Sequence, residues 1–321
     1  MRRLWGGRVS GWMAAIEGQA GTVAGRRSDG PAIAESRWAV AHDGIRLHYL
    51  SWTSAAQPAR AVLLLVHGIA GHAVWFGDTA QHLAAAGVAV YAPDRRGSGR
   101  SEGPRGHLAR YEDALADLRA FAALASDERP DAPLFVAASS WAAKLAVIYA
   151  AQPSVAAAGL VLLGPVFASR ANPPLPARLA VVAGARLVPR WSLSSPLRPE
   201  MATPNPARQA FVRADSLQLR RFTLRFLWET VRMDRQRDRV TPRIRLPLLV
   251  LQGELDPIAD VEVTRRWFAK VPGQDKTIVV YPGGGHLLDF DADATQYRAD
   301  LTEWVLSRAA GSASSGGQNA S

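Results

Sequence analysis

The amino-acid sequence predicts an α/β protein, with a mostly parallel central sheet flanked by helices and one helical insertion. Three observations predict it. Short, nearly continuous apolar runs recur along the chain at residues 61–66, 88–92, 134–138, 160–163, 248–251 and 277–281. Strands of a sheet covered on both faces read this way, because neither side of the strand meets water. Amphipathic stretches at helical spacing separate those runs, for example at residues 111–125, 141–151, 261–270 and 292–309. Alternation of the two patterns builds an α/β sheet, with ligands at the carboxyl ends of the strands. One connection, residues 166–245, has no strand-like run and carries proline clusters around Pro173, Pro196 and Pro204. A structureless loop of that length is improbable in a compact domain, so it reads as a helical cap over the strand ends.

The elements follow in order. Residues 1–36 read as a leader with little order. Their apolar stretch, Val9-Ser10-Gly11-Trp12-Met13-Ala14-Ala15-Ile16, is short for a signal peptide, and no convincing cleavage site follows. A start at Met13 is the other reading of that segment. Residues 37–52 read as a hairpin, with Asp43-Gly44 supplying the tight turn. The core then occupies residues 37–165 and 246–310, split by the cap at 166–245. Residues 311–321 are small and polar and read as a disordered tail.

Composition narrows the function classes. At 321 residues, with 48% hydrophobic and 21% charged residues, the chain is ordinary globular material. Cysteine is absent, which removes disulfides, thiolate zinc sites and cysteine nucleophiles, and fits a cytoplasmic location. No apolar run approaches the roughly 18 residues that cross a bilayer. The net charge of +10 is unevenly placed: residues 168–246 hold 16 arginines against 5 acidic residues, which is +11 and leaves the remainder near −1. Arginine bias accounts for a basic total, but not for its concentration in one segment.

Four short stretches carry chemistry. In Leu134-Phe135-Val136-Ala137-Ala138-Ser139-Ser140-Trp141-Ala142, a strand runs straight into a helix with serine at the corner. Such a turn lifts the serine Oγ clear of the sheet and aims the helix N-terminus at a developing oxyanion. Crowding there requires small residues two before and two after the nucleophile. Ser140 has Ala138 and Ala142 at those positions; Ser139, the competing nucleophile, lacks that pairing. His67-Gly68-Ile69-Ala70-Gly71-His72 follows the first buried strand and can present the Ile69 N–H beside the Trp141 N–H as an oxyanion hole. His67 itself reads as a support for the loop. An acid and a base then come in chain order: Asp256 in Gln252-Gly253-Glu254-Leu255-Asp256, and His286 after Gly283-Gly284-Gly285. Histidine serves as general base and aspartate fixes its tautomer. Glu254, Asp260 and Asp289 are the rival acids. This chemistry calls for no cofactor and no metal.

These residues, together with Asp94-Arg95-Arg96-Gly97-Ser98-Gly99-Arg100-Ser101-Glu102-Gly103, resemble the α/β-hydrolase superfamily over about residues 37–309. Within it, they are most similar to the monoacylglycerol lipase and lysophospholipase-like branch, which includes serine aminopeptidase relatives. The resemblance implies the α/β-hydrolase fold, an esterase or lipase activity, and a cap that forms the acyl pocket. Alanine at 138, 142 and 143, where the branch usually has glycine, adds methyl groups to a tight turn and puts the shape of the elbow in question.

A serine nucleophile argues against dehalogenase and epoxide hydrolase chemistry. The expected reaction is hydrolysis of carboxylic esters through an acyl-serine, with monoacylglycerol- or lysophospholipid-like substrates. Aminopeptidase activity would need carboxylates in the cap, such as Glu200 or Glu229, against its charge of +11. Thioester, C–C or perhydrolase chemistry on the same triad, and a non-catalytic binding protein on this fold, are the alternatives. Residues 217–228 mix arginine with apolar positions at helical spacing. That pattern serves either peripheral contact with anionic membrane or a solvated face over the core. Nothing beyond charge points to nucleic acid.

Overall fold

The computed structural model describes residues 34–54, 57–167 and 175–316. Its main sheet has eight strands in the order β1-β2-β4-β3-β5-β6-β9-β10. These are β1 (Glu35–Val40), β2 (Arg46–Trp52), β3 (Ala61–Val66), β4 (Val88–Pro93), β5 (Leu134–Ser139), β6 (Gly159–Leu163), β9 (Leu248–Gly253) and β10 (Lys276–Tyr281). β1 and β2, and β2 and β4, pair antiparallel; from β4 to β10 the neighbours run parallel. The hairpin turns at Gly44, whose φ of 85° suits a residue without a Cβ.

The apolar runs owe their continuity to burial on both faces. Along β3, Val62, Leu64 and Val66 enter one core cluster while Ala61, Leu63 and Leu65 enter the other. The first cluster is closed by α2 (Tyr111–Glu128) and α3 (Ala142–Ala150), the second by α1 (Gly77–Ala85) and α9 (Thr295–Gly316). Successive side chains on a strand point to opposite faces, so two covered faces demand apolar residues at every position. After β3 the chain steps to β4 on one side, then returns to β5 on the other. That reversal opens a crevice beyond the carboxyl ends of β3 and β5.

Between β6 and β9 the described chain holds α4 (Leu175–Leu187), β7 (Ser192–Ser194), α5 (Pro199–Ala202), α6 (Pro206–Ala214), β8 (Arg221–Thr223) and α7 (Leu224–Val240). Two features differ from the sequence expectation. β7 and β8 form a small antiparallel pair where no strand was expected. The stretch 217–228 is therefore not one helix: residues 217–220 are a turn and its exit, Arg221–Thr223 are strand, and the Thr223 hydroxyl accepts the Phe226 N–H and starts α7. Its apolar residues Leu219, Phe222, Leu224 and Phe226 are buried, while Arg220 and Arg221 are exposed. The segment is anchored from below. Trp141 Nε1 donates to Thr230 Oγ1 at 2.9 Å, Lys144 pairs with Asp234 at 2.8 Å, and Arg237 donates to the Phe167 carbonyl at 2.8 Å.

The ends of the chain also differ by a few residues. Glu35 and Ser36 already pair with Ser51 and Leu50, so the sheet begins inside the expected leader. The last helix continues to Gly316 where a tail was expected from 311, with the strong helix formers Ala309 and Ala310 carrying it past that boundary. The leader up to residue 33, including Met13, and the tail from residue 317 lie outside the described residues.

Candidate active site

Ser140 occupies the corner between β5 and α3 with φ of 57°, the one non-glycine residue with positive φ among the described residues. That conformation is uncommon for a side-chain-bearing residue and is held by its surroundings. The Ser140 N–H donates to the Leu163 carbonyl at 2.8 Å, and its own carbonyl accepts from Val166 at 3.3 Å. Ala138 and Ala142 are fully buried on either side, so the elbow forms with methyl groups where hydrogen atoms are usual. Alanine in place of glycine at these positions thus leaves the turn intact.

His286 follows β10 after a glycine run whose backbone lies against the end of β9. A Cβ at Gly253 would collide with the carbonyls of Gly284 and Gly285. His286 Nε2 lies 2.8 Å from Ser140 Oγ, and its Nδ1 lies 2.7 Å from Asp256 Oδ2. The other oxygen of Asp256 accepts the N–H groups of Ile258 and Ala259, both at 2.8 Å, which fixes the carboxylate plane. All three side chains are buried. The structure therefore brings together the three residues singled out in sequence. It places the rival acids elsewhere: Asp260 caps the helix Val261–Ala269, Glu254 accepts from Gly283 N–H at 3.3 Å, and Asp289 meets the Tyr297 hydroxyl at 3.3 Å.

The loop after β3 closes over this serine. A Cβ at Gly68 would stand 2.9 Å from Ser140 Cβ. Among the described residues, neither the Ile69 N–H nor the Trp141 N–H has an acceptor. Trp141 opens α3, where the first amides of a helix have no partner within it. Two amide donors beside one hydroxyl are what a tetrahedral oxyanion needs.

Sequence reasoning missed three supports. Arg95 is buried beneath the loop after β3, donating to the carbonyls of Gly68 and Ile69 at 2.9 and 3.0 Å, with its guanidinium 4.6 Å from the Trp141 ring centroid. Burial lowers its pKa to about 9, although Asp94 works the other way. The motif Asp94-Arg95-Arg96 gave no sign of which arginine turns inward. Gly164, at φ of 52°, lies against His286 and Asp256: a Cβ there would be 2.8 Å from the His286 carbonyl oxygen. Its position directly after β6 was the available signal. Asp215 receives His72 Nε2 and Trp75 Nε1, both at 2.7 Å, tying the inserted segment to the oxyanion loop.

His67 and Asp94 have structural roles. Burial, then the charge of Arg95, lowers the His67 pKa well below the usual imidazole range, so the ring is neutral. Its Nε2 accepts the Arg95 N–H at 3.0 Å and its Nδ1 meets the Gly68 carbonyl at 2.8 Å. Asp94 accepts from Ala73 and Arg100 amides and contacts His48 Nδ1 at 2.8 Å. Burial opposes its ionisation, but the His48 hydrogen bond and those amides hold its pKa down at about 2.

A narrow cleft of about 60 Å³ opens above Ser140 and His286. Ile69, Trp75, Val212, Ile258, Leu287 and Phe290 line it, with Gln218, Arg198 and Asp289 as polar members. Glu229 is not among them: it is buried between Arg225 and Arg232. Glu200 is paired with Arg213.

The family profile described as serine aminopeptidase, S33 matches residues 57–293. The chain belongs to that family. Among relatives of this S33 protein, monoacylglycerol lipase of Mycolicibacterium smegmatis is 30% identical over 269 residues, covering 82% of this chain and 94% of that one. Monoglyceride lipase of Rattus norvegicus is 26% identical over 278 residues, covering 84% and 89%. The crystal structure of Paleococcus ferrophilus monoacylglycerol lipase is similar with a TM-score of 0.74 at 26% identity, covering 82% of this chain and 99% of that one. A soluble variant of Saccharomyces cerevisiae monoglyceride lipase, in complex with a substrate analog, has a TM-score of 0.78 at 19% identity and covers 88% and 98%. That last likeness speaks to the fold. The α/β-hydrolase fold and the S33 branch are those the sequence motifs resemble.

Proposed function

We propose that this protein hydrolyses carboxylic esters of monoacyl lipids through an acyl-serine at Ser140. The observation that carries the reading is the hydrogen-bonded line Ser140–His286–Asp256 beside two amides without acceptors. His286 Nε2 takes the hydroxyl proton as Ser140 Oγ attacks the ester carbonyl carbon. The oxyanion receives hydrogen bonds from the Ile69 and Trp141 N–H groups. His286 then gives its proton to the departing alcohol oxygen. A water, deprotonated by the same imidazole, attacks the acyl-serine and releases the fatty acid. Asp256 accepts a hydrogen bond from the Nδ1–H throughout and stabilises the imidazolium.

Residues 166–245 act as the cap in this reading, and the apolar cleft beneath them takes the acyl chain. The lipase relatives support a monoacyl lipid substrate, and the apolar lining supports a chain over a peptide. Aminopeptidase specificity is disfavoured because Glu200 and Glu229 are both paired with arginine rather than presented to the cleft. Among the described residues no helix is long and apolar enough to cross a membrane. We place the protein in the cytoplasm, with peripheral contact to anionic membrane through the exposed arginines of the cap.

Turnover across an acyl-ester series, with monoacylglycerol and lysophospholipid included, tests this reading. Hydrolysis of monoacylglycerol that peaks at medium or long chains supports it. Activity confined to thioesters or aminoacyl substrates would replace it.

A further inference from the structure

A second cleft lies away from the catalytic one and shares no lining residue with it. It holds about 890 Å³ of largely open space between the end of α4, the turn at Pro189 and Arg190, the loop from His107 to Arg110, and the first turn of α7. Arg110, Arg186, Arg190 and Arg225 surround it, with His107 at its wall.

The frame is fixed by hydrogen bonds rather than loosely draped. Arg225 N–H donates to the Pro189 carbonyl at 3.1 Å and Leu224 N–H to that of Trp191 at 2.8 Å. Arg225 Nε donates to the Ala109 carbonyl at 2.7 Å. His107 Nδ1 lies 3.0 Å from Thr223 Oγ1, and the Thr223 N–H donates to the Gly106 carbonyl at 3.0 Å. Three separate segments are thus locked around one basic space.

Its charges are not balanced. Arg110, Arg225 and Arg232 draw on two carboxylates: Glu229, at 3.0 and 2.6 Å from Arg225 and Arg232, and Glu112, at 3.8 and 2.6 Å from Arg110 and Arg232. Arg186 and Arg190 have no carboxylate within 4.0 Å among the described residues. Arg186 donates to its own helix at the Val182 carbonyl, 3.3 Å away, and lies over the Trp228 ring. The positive field registers on His107, whose pKa is lowered first by burial and then by Arg190 and Arg225. Several convergent guanidinium groups suit a tetrahedral multivalent anion, since each planar fork can donate two parallel hydrogen bonds to phosphate oxygens.

We propose that this cleft binds a phosphate-bearing anion, with Arg186 and Arg190 as its principal ligands. A soluble phosphate ester and the headgroup of an anionic lipid present the same chemistry. Leu187, Val188 and Trp191 are exposed on the adjoining turn, where a lipid surface would meet them.

The test uses the full chain with labelled histidine, following the His107 ring by NMR as inorganic phosphate is added at constant ionic strength. The wild type shows a saturable shift that matched chloride does not reproduce. The double variant R186Q/R190Q weakens that response by about tenfold, as loss of two charge-assisted contacts implies, while R190K retains most of it. Turnover of a short-chain ester stays unchanged in all three, which shows that they are folded. Co-sedimentation with phosphatidylcholine vesicles, with and without phosphatidate, separates the sources. Phosphatidate-dependent retention that is lost in R186Q/R190Q and competed by free phosphate identifies a lipid headgroup. A phosphate response without such retention identifies a soluble ester. Absence of a saturable response to phosphate, or an equal response in R186Q/R190Q, overturns the proposal.

Discussion

The guanidinium of Arg95 lies over the ring of Trp141, 4.6 Å from its centroid, and joins the two loops that meet at Ser140. The same group holds the carbonyls of Gly68 and Ile69, so one buried cation sets the backbone on both sides of the nucleophile. Its enclosure is what makes it rigid: a flexible surface arginine would not constrain two loops at once.

Replacing Arg95 by Met should therefore lower kcat by about 10²-fold, close to the loss of one oxyanion donor, with little change in KM. Arg95→Lys should recover part of that loss by keeping one carbonyl contact. Steady-state kinetics on a soluble ester checks both. A rise in KM with kcat intact would assign Arg95 to substrate binding instead.

Gly164 packs so closely on His286 that a methyl group has nowhere to go. Gly164→Ala should displace the His286 backbone and cut kcat by at least about tenfold, while costing about 1–3 kcal/mol of stability for the forced positive φ. Thermal unfolding alongside kinetics separates the two effects. Unchanged kcat would show that the loop yields freely.

The meeting of Ser140, His286 and Asp256 was legible in sequence, and the reason is local. Each of the three sits just past an apolar run, and position relative to a strand end does not depend on packing. The glycine run before His286 and the small residues around Ser140 are likewise demands of close backbone approach, visible one residue at a time. Whether the alanines at 138 and 142 fit the turn depends on the room their neighbours leave, which local sequence does not encode. Arg95, Gly164 and Asp215 were hidden because their roles are contacts between segments far apart in the chain. The stretch 217–228 departs from its local pattern for a related reason: its apolar spacing fits a helix, but pairing of Arg221–Thr223 with Ser192–Ser194 overrides that pattern.

Asp289 predicts a pH effect on stability. Its side chain is buried in the wall of the catalytic cleft, and one carboxyl oxygen has no partner. Burial raises its pKa to about 6, against hydrogen bonds from Thr79 and Tyr297 and the charge of Arg298. Between its ordinary value of 3.8 and about 6, the folded state keeps a proton that the unfolded chain releases. Stability contributed by this group is thus present below pH 4 and lost as pH rises through 6. The full displacement is worth about 3 kcal/mol at most. Asp289→Asn should flatten the dependence of thermal stability across that window and raise Tm above pH 6. A variant less stable than wild type at neutral pH would mean that the carboxylate is already well satisfied there.

The central claim is that Ser140 Oγ forms the covalent intermediate, and site-resolved labelling with a fluorophosphonate measures this most directly. Mass spectrometry of the labelled protein should find the adduct on Ser140 in the wild type and in Ser139→Ala. Neither adduct nor ester turnover should appear in Ser140→Ala. An adduct at another residue, or ester turnover that survives Ser140→Ala, would contradict the account.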